Sequence, residues 1–175
     1  MQIERSDILA TVRRVLAETG LPPEHLELEI TESYIMRQRQ QNIRVMEDLR
    51  ALGVVLAIDG FGTGQSSLSY LKRLPVDKLK IDRYFVMDIP QDSNDIAITH
   101  AILALGRSLR LTVLAKGVET AEQSGFLKEL GCDEAQGYFY SRPVDAASFQ
   151  MLLTAKYETA ACQHEIAGCP SVMAR

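Results

Sequence analysis

Cysteine is scarce, clustered cations are absent and no long apolar run occurs, and each absence removes a class of protein. The three cysteines, Cys132, Cys162 and Cys169, are odd in number and have no framework spacing, which excludes a disulfide-stapled secreted fold. The N-terminus, MQIERSDILA, is charged and lacks the apolar centre of a signal peptide, so a cytoplasmic location is expected. Apolar runs such as Val54 to Ile58 are far short of the roughly 20 residues that span a bilayer. No membrane segment is expected. Lys and Arg number 19 against 23 Asp and Glu, a formal charge of −4, and no Lys/Arg-rich run supplies the footprint of a nucleic-acid binder. DNA and RNA are therefore not expected partners.

What remains is an ordinary globular composition, 46% hydrophobic and 24% charged over 175 residues. A chain of this size buries about 70% of its unfolded surface as one domain and needs no staples. Apolar periodicity resolves it into alternating elements. Ile8, Val12, Val15 and Leu16 share a helical face over 7–19, ended by Gly20 and Pro22-Pro23. LELEIT (26–31) alternates as a strand, and Ile43, Met46, Leu49 and Leu52 then recur at helical spacing before Gly53. VVLAID (54–59) reads as a buried strand, GFGTGQ as a turn and SSLSYLKRL as a short helix. LKID (79–82) is a third strand, 96–109 a long helix, LTVLAK (111–116) a fourth strand, 121–130 a helix and EAQGYF (134–139) a fifth strand. Pro143 and Asp145 introduce a last helix expected to end near Thr154. The pattern predicts one domain over 1–155 and a loosely attached tail over 156–175.

The predicted strands start roughly 30 residues apart, the length of a βα unit, so they should lie parallel with right-handed crossovers. A doubly wound sheet and a (β/α) barrel both satisfy that spacing. Polar residues decide between them: Glu29, Asp59, Lys80, Lys116 and Gln136 each sit at or near the C-terminal end of a different strand. Five strands aiming polar side chains at one mouth describe a barrel, whereas an open sheet concentrates its site at one switch point. Alternation places Ala57 and Val55 inward with Asp59, Leu114 with Lys116, and Glu134 and Tyr138 with Gln136. Glu27 and Lys78 fall inward at the bottom, where they must pair or reach solvent.

Glu29 and Asp59 on adjacent strands, with Gln136 across the mouth, are hard-oxygen donors suited to Mg²⁺ or Mn²⁺. The loop after Asp59 has glycines at 60, 62 and 64, which let backbone approach a ligand closely. It is neither a Walker A loop nor a GxGxxG fingerprint, since Gln65 stands at the third glycine position. Dinucleotide-cofactor binding is thereby disfavoured.

LELEITES (26–33), AIDGFGTGQSSLSYL (57–71), LKIDRYFV (79–86), LAKGVET (114–120) and AQGYFYSRP (135–143) closely resemble, in order and spacing, the motifs of EAL-domain proteins, the bacterial cyclic-di-GMP phosphodiesterases. The resemblance spans about Asp7 to Leu153 and implies an α/β fold, a modified (β/α) barrel. Active members of that family open the cyclic dinucleotide to pGpG with two divalent metals, Mg or Mn. By resemblance, Glu29 is a metal ligand, Asp59 the carboxylate shared by both metals, and Lys80 the lysine that orients the attacking water. Glu32 matches the glutamate holding the loop after the Asp59 strand, and Glu119 the glutamate of the family's GVET segment, counted with Lys80 among the catalytic positions. Asp59, Gly62, Gly64, Glu32, Gln136 and Pro143 match positions around the ligand.

Three departures stand beside these matches. Gly60 replaces a second aspartate, Lys116 replaces the glutamate of AEGVET, and the family's first strands, three of eight, have no counterpart upstream of Met1. About five parallel strands of an incomplete barrel are therefore expected. Two lost negative charges and one gained positive charge shift the site by three units toward positive, which opposes a second divalent ion. No metal is expected in this chain, with Lys116 pairing with Asp59 or Glu29 in its place. The expected function is that of a degenerate EAL domain, a non-hydrolysing cyclic-di-GMP sensor or a protein-interaction module with an unidentified protein partner. Two alternatives are a phosphodiesterase completed by another chain and a self-associating barrel fragment without ligand. A sheet lacking strands exposes edges and interior residues such as Ala57 and Leu114, so a homodimer is also expected.

Overall fold

The computed structural model of the chain describes residues 8–37, 39–64 and 71–163. Among these residues, five strands form one sheet: β1 (Glu27–Thr31), β2 (Val55–Phe61), β3 (Lys78–Ile81), β4 (Thr112–Lys116) and β5 (Glu134–Gln136). They pair in parallel in the order β1-β2-β3-β4-β5, with no reversal of strand order. Sequential order without a switch point is that of an arc of a (β/α) barrel and removes the doubly wound alternative. Around it run α1 (Ile8–Thr19), α2 (Glu32–Arg37), α3 (Arg39–Ala51), α4 (Ser93–Leu109), α5 (Ala121–Glu129) and α6 (Ala146–Gln163).

The two faces of the sheet differ in chemistry. Ile30, Leu56, Ile58, Leu79, Ile81, Val113 and Ala115 alternate onto one face and are buried against Val12, Ile35, Met46, Leu49, Ile102, Leu103 and Leu127. Local signals set the helix ends. Asp92 accepts hydrogen bonds from Asn94 N and Asp95 N to open α4, and Arg110, at φ 58°, closes it in the left-handed region. Thr120 and Gln123 form a reciprocal capping box at the start of α5.

The other face corrects one expectation. Ala57 and Leu114 are 0% and 3% exposed, not open to water. Their cross-strand neighbours are Lys78 and Lys80 respectively. Those lysines are themselves buried, so their aliphatic stems fill the concave face that missing strands were expected to leave bare.

Two boundaries also differ. The strand expected over 134–139 ends at Gln136, and Tyr138 is exposed instead of inward. The reason is tertiary: a Cβ at Gly137 would lie 2.0 Å from Val118 O, so the chain approaches the β4 loop there and turns. Phe139 N then donates to Val118 O, and Tyr140 N to Gly137 O. The last helix continues to Gln163, past the expected end at Thr154. Residues 66–70 of the short helix after the glycine loop lie outside the described residues, as does the tail from 164.

Candidate functional site

Strand β2 carries the centre of the mouth. Its register against β3 shifts between Ile58 and Phe61, and Gly60 lies inside that irregularity at φ 69°. A bulge of this kind turns the strand end and favours glycine at the left-handed residue. Asp59, just before it, receives the Lys116 ammonium from β4, with Nζ 2.5 Å from Oδ1. The side chains are 30% and 23% exposed, so the pair sits at the rim.

Lys80 rises from β3 and is 1% exposed. Its Nζ lies 2.5 Å from Glu29 Oε1 and 2.5 Å from Glu27 Oε1, both on β1. One turn of the pleat below, Lys78 Nζ lies 2.9 Å from Glu27 Oε2 and 2.5 Å from Glu134 Oε2 on β5. Glu27 and Lys78 therefore meet the requirement that inward charges at the bottom must pair. Burial disfavours the charged form of Glu27, yet hydrogen bonds from Lys80 and Lys78 outweigh it and hold the carboxyl below its usual range. Burial also works against the Lys80 ammonium, while Glu27 and Glu29 raise it above the usual lysine range.

The loops complete the rim. Buried Glu32, at the start of α2, accepts from Gly62 N at 3.2 Å and Gly64 N at 3.3 Å through Oε2. A Cβ at Gly64 would lie 2.6 Å from Glu32 Oε1, so glycine there permits this close hold on the loop. Glu119, after β4, pairs with Arg83, after β3, at 2.8 Å. Gln123 Oε1 accepts from Glu119 N and Thr120 N while its Nε2 donates to Met87 O, tying the same two loops together. Gln136 and Pro143 line a cavity of about 320 Å³ beside β5 with Tyr138, Tyr140, Arg142 and Phe149. The Arg142 guanidinium carbon lies 4.9 Å from the centroid of the Tyr138 ring, a cation–π contact.

Glu29 with Lys80, and Asp59 with Lys116, are thus brought together as pairs, while Gln136 and Pro143 belong to the adjoining cavity. Sequence reasoning missed Arg83, Gln123 and Arg142. The capping pattern Thr120–Gln123 was a local signal for Gln123, whereas the contacts of Arg83 and Arg142 join loops that only the fold places side by side.

The donors fit two divalent ions poorly. Each carboxylate at a metal position of the family already holds an ammonium at 2.5 Å. Among the described residues, no three His, Cys, Asp or Glu side chains gather in a way that could hold a metal ion. Among the same residues, no helix is long and apolar enough to cross a membrane.

The model of the EAL domain matches residues 1–143. Cyclic di-GMP phosphodiesterase NbdA of Pseudomonas aeruginosa is 48% identical over 151 residues, covering 86% of this chain and 19% of that protein. The solved cyclic-di-GMP complex of the MucR phosphodiesterase, also of Pseudomonas aeruginosa, is 48% identical with a TM-score of 0.80, covering 83% of this chain and 59% of the other. Klebsiella pneumoniae BlrP1 in a manganese/cyclic-di-GMP complex is 36% identical with a TM-score of 0.74, covering 79% of this chain and 36% of the other. The chain therefore spans a minor part of the curated relatives it matches. A family model covering most of the sequence, and a parallel arc that superposes on solved members, have one meaning: the chain belongs to the EAL domain family.

Proposed function

We propose that this chain is a degenerate, non-hydrolysing EAL domain that acts in cyclic-di-GMP signalling as a sensor or as a protein-interaction module. The Lys116–Asp59 ion pair carries this reading. Two-metal phosphodiester hydrolysis needs two closely spaced cations held by carboxylates, one to lower the pKa of a water and both to stabilise the transition-state charge. Lys116 puts a fixed ammonium on the carboxylate that the pattern shares between both metals. A divalent ion arriving there must displace that ammonium or face it at contact range, where Coulomb repulsion is strong. Gly60 removes a further carboxylate from the same strand end. Support for the ligand class comes from relatives: the MucR and BlrP1 complexes contain cyclic-di-GMP, and the latter manganese.

Incubating the protein with cyclic-di-GMP and Mn²⁺ tests the reading. No pGpG release is expected under conditions where an intact relative turns over. Metal-dependent hydrolysis abolished by Asp59→Ala would overturn it and favour a phosphodiesterase completed by another chain. A cytoplasmic setting accords with the scarcity of cysteine.

We also infer a homodimer. Among the described residues, strands β1 and β5 each have a neighbour on one side only, and exposed strand edges favour association. Light scattering at micromolar concentration should give twice the chain mass, and a monodisperse monomer would refute this.

A further inference from the structure

Beneath the mouth lies a buried charge cluster that neither the family pattern nor the proposed function uses. Lys78, in the middle strand β3, touches Glu27 on β1 at 2.9 Å and Glu134 on β5 at 2.5 Å. Its side chain is 5% exposed, that of Glu27 4% and that of Glu134 21%. Both acids belong to the edges of the sheet. Each also stands two residues before a residue at the C-terminal end of the same strand, Glu27 before Glu29 and Glu134 before Gln136, hence directly below it on the same face.

We propose that Lys78 is a positioning residue that sets the width of the mouth by drawing the two edge strands toward the middle one. Adjacent strands lie about 4.8 Å apart, so four steps from β1 to β5 measure about 19 Å along the sheet. One ammonium touches carboxylates from both edges only when the sheet curls and brings those edges closer together. The clasp thus fixes curvature just below Glu29 and Gln136. A buried ion pair adds little net stability over apolar residues of the same size, so its value lies in specifying geometry. Lys80, directly above, adds a second tie from β3 to β1 through Glu27 and Glu29. Lys78 touches both edges. The proposal concerns the shape of the mouth and does not depend on which ligand enters it.

The test is a distance measurement on the full chain. Spin labels are placed on cysteines introduced at the exposed positions Glu24, before β1, and Glu129, at the end of α5 before β5, with the three native cysteines replaced. Pulsed electron–electron resonance should give one narrow distance in the parent protein. Lys78→Met should shift that distance outward and broaden it, with helical content by circular dichroism retained. If Lys78→Met alone fails to fold, the double variant Lys78→Met/Glu134→Gln decides, because it leaves no uncompensated acid on β5 and still lacks the clasp. An outward shift in the folded variant supports the proposal. An unchanged narrow distance in it overturns the proposal and leaves Lys78 as filler of the concave face.

Discussion

Gly60 sits at φ 69° in the bulge of β2, and a Cβ there would lie 3.4 Å from Asp82 Oδ2. Substituting aspartate, the residue of the family pattern, puts an L side chain in the left-handed region and a second carboxylate beside Asp82. Gly60→Asp should therefore destabilise the protein by about 1 kcal/mol, read as a lower urea midpoint. An unchanged midpoint would show that the bulge tolerates a side chain freely. Cys132 gives a second residue-scale prediction. Its Sγ lies 3.2 Å from Glu134 O and 3.5 Å from Val113 O, two acceptors for its one S–H, and burial pushes the thiol up to about 11. The thiolate is the reactive form. With Cys162 and Cys169 replaced by serine, Cys132 should resist a disulfide reagent at pH 8 until the protein is unfolded. Rapid reaction in the folded state would mean that the thiol is open to solvent.

At the scale of elements, the loops that frame the mouth are held by side chains whose roles differ in how far sequence reveals them. Thr120 accepts from Gln123 N, and Gln123 returns the bond, so Thr120→Ala should cost about 1 kcal/mol in chemical denaturation. No loss would mean that the start of α5 is satisfied by its neighbours instead. The sequence reading missed this cap, although its signal is local and depends on residues three apart. The strand spacing and the parallel arc were legible, since period and length are local properties. The end of β5 was not, because Gly137 turns the chain against Val118, a residue far away in sequence. Nor was the burial of Ala57 and Leu114, which depends on cross-strand register with Lys78 and Lys80. Strand-end positions pointed to Glu29, Asp59, Lys80, Lys116 and Gln136 as one set, of which the structure pairs the first four and puts Gln136 in the adjoining cavity. Which acid each lysine chooses is set by the curvature of the sheet, so the sharing of Lys80 between Glu27 and Glu29 could not be read from spacing.

Across the whole molecule, every acid named on the concave side of the arc is in contact with a lysine. From the floor upward, Lys78 ties Glu27 to Glu134, Lys80 ties Glu27 to Glu29, and Lys116 closes on Asp59 at the rim. Two divalent ions at such a mouth would need carboxylates in excess there. In this chain the acids of the mouth are matched by lysines that cannot leave. Calorimetric titration of the unmodified protein with Mn²⁺ examines this balance most directly. Binding no tighter than about 1 mM is expected, with Lys116→Glu binding more tightly because it restores an acid and frees Asp59. A stoichiometric, tightly held ion in the unmodified protein, lost on Asp59→Ala, would contradict the claim that Lys116 stands where a metal would be.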